Sequence, residues 1–303
     1  MKTSIHIITL IVLAAALFGS GCSTVTQIGT AVGEATGTLT PAQAQSINRT
    51  AQAIEKTYQD ITPEQEYYIG RSVAATVLYK YRANNSEEAN HYLNVLGQIL
   101  AEASDRPETF GGYHFQILDS DEINAFAAPG GFIMVSKGML RCCRSEDALA
   151  GVLAHEIGHI QGQHGLRAIK KGRLTSALTV LATEGAKNFG GQDVAQLTTA
   201  FEGSINDITG TLMNSGYARA LEREADQTAV KIMQRAGFDP LGLVHMLGQM
   251  QKNLKPGGLD FAKTHPDPGS RSTDVLKAIG EQPPFRAVTA VRQRRFEQTI
   301  GKL

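Results

Sequence analysis

Residues 146–159, Glu-Asp-Ala-Leu-Ala-Gly-Val-Leu-Ala-His-Glu-Ile-Gly-His, decide how the rest of the sequence is interpreted. The stretch is expected to be helical, and four residues along a helix advance by about 400°. His155 and His159 therefore share one face, one turn apart, where two imidazole nitrogens can reach a single zinc ion. Glu156 points beside that ion and can accept a proton from an attacking water. Burying two unpaired imidazoles and a carboxylate in an ordinary apolar helix would be costly, so we favour a zinc site.

The third protein ligand that a catalytic zinc ion requires must come from another segment. His164 is unsuitable, because it lies nine residues after His155 and about 180° around a continuing helix. Glu222 and Asp226 are four residues apart on a predicted helix and share a face. Glu222 could bind the zinc while Asp226 accepts the other N–H of a ligating histidine. Glu224 is the competing candidate for the third ligand, although it faces about 200° away from Glu222. The alternative for the whole segment is an ordinary charged helix that binds no metal.

On both sides of residues 146–159, the sequence predicts many helices and one small β-sheet. Thr62-Pro63-Glu64-Gln65 has the residues of a capping box, which predicts a helix N-terminus. Segments 113–118 and 132–136 are rich in β-forming residues and are expected to be strands. After Lys137 the chain is expected to be helical nearly to its end. The predicted fold class is α+β, a mostly helical domain with a small β-sheet beside the active-site helix.

Composition narrows the class of protein. The 303 residues include 29 Lys and Arg against 29 Asp and Glu, with 42% hydrophobic residues and three cysteines. Wholesale disorder is excluded by the hydrophobic fraction, and no apolar window suits a polytopic membrane protein. Zero net charge argues against nucleic acid as a partner, because such proteins carry a basic excess. Neighbouring cysteines rarely bridge each other, so the redox state of Cys142 and Cys143 is left open.

The N-terminal residues have the pattern of an export signal. Lys2 precedes an apolar run over residues 5–18, which is too short to span a bilayer and is followed by small residues and Cys22. This pattern resembles a bacterial lipoprotein signal, in which residues 1–21 are removed and Cys22 is lipidated. An uncleaved N-terminal anchor is the alternative.

The mature chain is expected to have three parts. Residues 22–50 are rich in Thr, Ala, Gly, Ser and Gln and contain no aromatic residue, so they are expected to be a flexible, lipid-anchored tether. Ser23 after the modified cysteine indicates sorting to the outer membrane, facing the periplasm. Residues 51–285 are expected to form the catalytic domain, and 286–303 a short basic tail or helix. The arginines of that last part are expected on a solvated face, with anionic lipid contact as the alternative.

Taken together, the motifs resemble a known family. The two histidines are followed by Arg-x-x-Glu-x-x-Ala-Asp at 219–226, and further blocks lie at 62–66, 124–131, 135–139 and 265–271. The set is similar to the zinc endopeptidase family that contains HtpX and the CAAX prenyl protease, peptidase family M48, and to its exported lipoprotein branch. The resemblance implies a zincin-type metalloprotease fold of the gluzincin kind, with one zinc ion per chain.

Roles for individual residues also follow from the resemblance. The zinc ligands would be His155, His159 and Glu222. Glu156 would be the general base, and Asp226 would hold a ligating histidine.

The late element at 265–271 carries two further candidates. Arg271, together with His265, would lie near the substrate carbonyl or its oxyanion. In some exported relatives this histidine occupies the open position on the zinc and keeps the enzyme latent, so His265 is a candidate for either role. A solvated loop histidine is the plainer alternative. Tyr217 is a weaker candidate for stabilising the oxyanion.

The implied activity is hydrolysis of peptide bonds in unfolded or misassembled proteins of the bacterial envelope. Segment 132–136 is expected to offer a sheet edge along which an extended substrate binds. Segment 174–213 is expected to be either a mobile lid or a packed hairpin. The alternative function is a zinc-binding periplasmic chaperone or assembly factor with latent or weak proteolysis. An integral CAAX-type protease is disfavoured, because it needs several membrane spans.

Overall fold

The structure, a computed structural model, describes residue 41 and residues 61–169, 202–253, 265, 268–280 and 289–303. The expected signal, Cys22, nearly all of the expected tether and residues 174–201 of the expected lid lie outside these ranges. The chain divides into two units at Ile61, and the following description concerns the unit from Thr62 to Leu303.

Helices make up most of this unit, as the predicted α+β class requires. The helices are α1 (Pro63–Tyr81), α2 (Glu87–Glu102), α3 (Lys137–Cys142), α4 (Glu146–Gln161), α5 (His164–Arg167), α6 (Arg219–Arg235), α7 (Leu241–Asn253), α8 (Pro268–Ile279) and α9 (Thr289–Thr299). The strands are β1 (His114–Leu118), β2 (Ala125–Ala128) and β3 (Phe132–Ser136). Residues 202–215, which include the described part of the expected lid, are helical as well. The fold class predicted from the sequence is confirmed.

The predicted capping box starts α1. The Thr62 side chain accepts a hydrogen bond from the backbone N–H of Gln65 at 3.2 Å, and Gln65 Oε1 accepts one from the Thr62 N–H at 3.0 Å. Pro63 occupies the first helical position, where its missing N–H costs nothing. This helix start is therefore encoded locally.

The sheet has the order β1-β3-β2, with β1 parallel and β2 antiparallel to the central strand. The prediction that segment 132–136 offers a free sheet edge is wrong, because β3 is paired on both sides. The outer edge of β1 is also satisfied: Asn94 Oδ1 accepts from the Phe115 N–H at 3.0 Å, and Asn90 Oδ1 accepts from the Ile117 N–H at 2.9 Å. Such capping blunts a strand edge that would otherwise recruit another chain.

Helix α4 runs through the centre of the unit. Fourteen of its 16 residues are buried, and two glycines let neighbouring helices approach it closely. A Cβ on Gly158 would lie 2.9 Å from the Ala225 carbonyl oxygen of α6, and a Cβ on Gly151 would lie 2.9 Å from Leu243 Cα of α7. Real Cβ atoms do not come this close to backbone, so glycine at 158 sets how near α6 lies to the histidines of α4.

The C-terminal helix α9 packs on the start of α4. Arg295 Nε donates to the buried Glu146 carboxylate at 2.7 Å, and Arg292 Nη1 donates to Asp147 at 3.2 Å. Phe296 of α9 is buried in the core. Arg292 is only partly exposed, so the expectation of a solvated arginine face is wrong for that residue. Arg295 is exposed as expected, although it also pairs with the first turn of α4.

Both described cysteines, Cys142 and Cys143, are buried, and no disulfide joins them to each other. The Cys143 thiol donates to the Met139 carbonyl at 3.6 Å, and burial raises its pKa. Within the described residues, no helix has the length and apolar character needed to cross a bilayer.

Candidate metal centre

Four buried side chains point their nitrogen and oxygen atoms at one another in the middle of the unit. They are His155 and His159 from α4, Glu222 from α6 and His265, and one ligand atom from each lies within 4.8 Å of all the others. His155 Nε2 and His159 Nε2 are 3.0 Å apart, and His155 Nε2 is 3.5 Å from the Glu222 carboxylate. The structure thus brings together the three predicted ligands and adds His265 as a fourth donor.

The geometry follows from two local features. The four-residue spacing on α4 places the two histidine rings edge to face, with their centroids 4.7 Å apart. Glu222 lies in the first turn of α6, which comes close to α4 at Gly158. The ligand atoms therefore converge because α4 carries both histidine rings and α6, which carries Glu222, contacts the backbone of α4.

The charges of this cluster fit a bound cation. Burial alone would raise the pKa of Glu222, but His265 and His155 hold that pKa well below its usual range. Burial lowers the pKa of His159, which keeps its ring in the neutral form that binds metals. Burial also opposes a charge on His155, yet Asp226 raises its pKa to about 9. The site therefore favours positive charge among donors of the types that zinc accepts, imidazole nitrogen and carboxylate oxygen.

Asp226, which the sequence offers as the partner of a ligating histidine, lies behind His155. Its Oδ1 is 2.9 Å from His155 Nδ1. Arg271 grips the same carboxylate with two hydrogen bonds, Nε to Oδ2 at 2.9 Å and Nη2 to Oδ1 at 2.7 Å. Burial would raise the pKa of Asp226, but Arg271 and His155 lower it to about 2. The resemblance put Arg271 near a substrate carbonyl, whereas here its guanidinium faces Asp226.

The position of His164 differs from the one that the sequence predicts. A helix continuing past residue 162 would turn His164 to the opposite face. In the structure α4 ends at Gln161, and Gln163 adopts the left-handed conformation with φ 51° and ψ 34°. A new helix then starts at His164, whose Nδ1 lies 2.8 Å from His159 Nδ1. His164 is still no member of the converging set, but it contacts the far side of a predicted ligand.

Two more groups next to the cluster bear on its chemistry. Glu156 is buried with its Oε1 lacking a hydrogen-bond partner within the described part of the chain, and burial raises its pKa. Tyr217 stacks on the His159 ring with centroids 4.4 Å apart, and its buried hydroxyl likewise has no partner among the described residues. A buried carboxylate with a free oxygen beside a cation site is suited to accepting a proton.

Comparison with known proteins identifies the family of the chain. The family model described as peptidase family M48 matches residues 87–279. The beta-barrel assembly-enhancing protease of Escherichia coli K12 is 29% identical over 210 residues, which are 66% of this chain and 41% of that protein. The mitochondrial metalloendopeptidase OMA1 of Schizosaccharomyces pombe is 32% identical over 175 residues, 56% of this chain and 47% of that protein. The chain thus spans less than half the length of these relatives.

Proposed function

Because the chain belongs to peptidase family M48, we propose that it is a zinc-dependent endopeptidase that cleaves unfolded or misassembled proteins of the bacterial envelope. The observation that carries this proposal is the convergence of two buried imidazoles and a buried carboxylate beside Glu156, whose buried Oε1 has no hydrogen-bond partner in the described part of the chain. The names of the two relatives, a protease and a metalloendopeptidase, support it.

We assign the metal to His155, His159 and Glu222, the donor set of a catalytic zinc site with one position left open. The chemistry that a bound zinc ion supplies is Lewis-acid polarisation of the scissile carbonyl and a water pKa lowered toward about 7. Glu156 then takes the proton of the attacking water on its free Oε1 and passes it to the leaving amine. The raised pKa of Glu156 suits both steps, because the carboxyl must hold the proton between them.

Asp226 and Arg271 act on His155 and not on the substrate in this proposal. The bidentate ion pair fixes the carboxylate, which in turn fixes the ring through Nδ1. A carboxylate behind a ligating histidine sets its tautomer and raises its basicity. Arg271 therefore supports the metal site from behind.

His265 is proposed to block the open position in a latent state. Its Nδ1 lies 2.9 Å from the Glu222 carboxylate and 3.4 Å from His155 Nε2, in the middle of the donor set. An oxyanion stabiliser would be expected to face a substrate carbonyl and leave the ligands free. The contacts of His265 therefore favour the blocking role between the two that the sequence left open.

Export, lipidation at Cys22 and attachment to the outer membrane through residues 22–50 complete the proposal and rest on the sequence pattern alone. They would hold the catalytic unit in the periplasm, where unfolded outer-membrane proteins pass.

The test is cleavage of casein by the purified chain, with and without a chelator, together with the metal content. The Glu156→Gln variant should keep its zinc and lose activity by about 10²–10⁴-fold, the usual contribution of a general base. Tyr68→Phe, an exposed change on α1, is the control and should cleave normally. A wild type that prevents casein aggregation without cleaving it would favour the chaperone alternative, and an active Glu156→Gln variant would overturn the mechanism.

A further inference from the structure

We propose that His164, backed by Glu224, is a positioning residue that holds His159 in the tautomer presenting Nε2 to the metal. This inference rests on the proposed function, because it assigns a partner to one of the proposed zinc ligands. His164 touches neither the substrate nor the metal in this proposal and acts only through the His159 ring.

The geometry is that of a relay of side chains leading away from the cluster. His159 Nε2 faces His155 and Glu222, and its other nitrogen, Nδ1, lies 2.8 Å from His164 Nδ1. On the far side of the His164 ring, Nε2 lies 3.4 Å from the Glu224 carboxylate. His164 is fully buried, so its ring cannot turn to a partner in bulk water.

The order of protons along this relay follows from the need for a free lone pair at the metal. A neutral imidazole has one N–H and one lone pair. If the His159 lone pair is on Nε2, its proton is on Nδ1, and His164 Nδ1 must accept it. The proton of His164 is then on Nε2, which faces the Glu224 carboxylate at 3.4 Å without forming a hydrogen bond to it in this conformation. The negative charge of Glu224 favours a proton on the nearer nitrogen of His164, and therefore favours this direction over the reverse.

The backbone is shaped to put His164 there. Gln163 adopts a left-handed conformation that non-glycine residues avoid, and this turn brings the chain back beneath the end of α4. Gly162 leaves the space for the ring, since a Cβ at that position would lie 2.3 Å from His164 Nε2. A strained backbone at Gln163 and a glycine at 162, whose missing side chain leaves room for the His164 ring, are consistent with a functional requirement for the position of that ring.

Glu224 is held in turn by Arg167. Arg167 Nη1 lies 3.3 Å from Glu224 Oε2 and also donates to the Gly162 carbonyl at 3.3 Å. The same arginine thus ties the carboxylate to the turn that carries His164. Asp226 behind His155 and Glu224 behind His164 are one helical half-turn apart on α6, so a single helix supports both zinc-binding histidines.

The test is the zinc affinity of the full chain, measured by competition with a chromogenic chelator after metal removal. His164→Leu removes the acceptor at similar volume and should raise the zinc dissociation constant about 10–100-fold, the usual effect of losing such a partner. His164→Asn keeps an oxygen near the position of Nδ1 and should stay within about threefold of the wild type. His91→Leu, at an exposed position on α2, is the matched control.

A double-mutant cycle covers the case in which His164→Leu does not fold. Glu224 is half exposed, and Glu224→Ala should weaken zinc binding by less than about tenfold. In the His164→Asn background the same change should have no further effect, because the link between the two residues is already cut.

The inference is overturned if folded His164→Leu binds zinc like the wild type, if His164→Asn loses as much as His164→Leu, or if the Glu224 effect is additive. A wild type that binds no zinc would instead overturn the proposed function, so the two failures are distinguishable.

Discussion

Glu222 Oε2 lies 2.9 Å from His265 Nδ1, although the two residues are 43 positions apart and both are buried. Glu222, a proposed zinc ligand of α6, is thereby in contact with a side chain that belongs neither to α6 nor to α4, the helix of the two histidine ligands. In the proposed latent state, this contact would keep His265 at the open position of the metal and would exclude a substrate carbonyl from it.

The first prediction concerns this contact. His265→Ala should increase the rate of casein cleavage by about tenfold, as expected if only about one molecule in ten has the site open. The zinc content should remain one per chain, because three proposed ligands are untouched. His245→Ala, a histidine of α7 that is not among the metal donors, serves as the control. Decreased cleavage by His265→Ala at full zinc content would support the oxyanion role instead.

The second prediction concerns the close approach of α6 to α4. Gly158→Ala places a Cβ 2.9 Å from the Ala225 carbonyl and must push α6, with Glu222, away from the histidines. Overpacking of this kind costs about 1–3 kcal/mol of unfolding free energy, and zinc affinity should fall by about tenfold or more.

A matched control for that change lies two turns earlier on α4. Gly151→Ala puts a Cβ equally close to Leu243 Cα, but it displaces α7, which carries no proposed ligand. We expect a similar loss of unfolding free energy in urea with normal zinc affinity. Equal zinc affinities in the two variants would contradict the claim that Gly158 positions Glu222.

Short-range features of this protein could be predicted from its sequence. The capping box at Thr62 and the spacing of His155 and His159 depend on a few neighbouring residues, and both are found as predicted. The pairing of Glu222 with the histidines could also be predicted, because Glu222 and Asp226 share one face of α6.

Long-range or strained features could not be predicted. The central position of β3 depends on pairing with two other segments, which its own residues do not encode. The place of His164 depends on the left-handed turn at Gln163, and glutamine gives no signal for that conformation. Gly162 is a local sign of a helix end before His164, because helices often end at a glycine. The ion pairs of Arg295 likewise required knowing that α9 returns to the start of α4.

The third prediction concerns the ion pair behind His155. Asp226→Asn leaves the buried Arg271 without its carboxylate and should cost about 3–5 kcal/mol of unfolding free energy. Zinc affinity should fall about 10–100-fold. Arg271→Lys keeps the positive charge but loses the bidentate ion pair, so we expect intermediate losses of unfolding free energy and of zinc affinity. Asp274→Asn, on the same helix as Arg271 but partly exposed, is the control for a lost carboxylate. A normal zinc affinity in a folded Asp226→Asn protein would contradict the assignment.

The fourth prediction concerns the attachment of the C-terminal helix to the active-site helix. Glu146, the first residue of α4, is buried and accepts hydrogen bonds from Tyr92 at 2.7 Å and from Arg295 through both Nε and Nη2. Arg295→Met should lower the unfolding free energy by about 1–3 kcal/mol, because the buried carboxylate then keeps only part of its partners. Its exposed neighbour Arg294 provides the control, and Arg294→Met should change stability by less than about 0.5 kcal/mol.

The pairing itself is tested by combining Arg295→Met with Glu146→Gln, which should cost less than the sum of the two single changes. Zinc affinity should be unchanged in all these folded variants, because Glu146 lies more than two turns before His155. Strictly additive losses in urea unfolding would show that the arginine stabilises the protein by packing alone. A loss of zinc binding in folded Arg295→Met would show instead that α9 sets the position of the metal ligands.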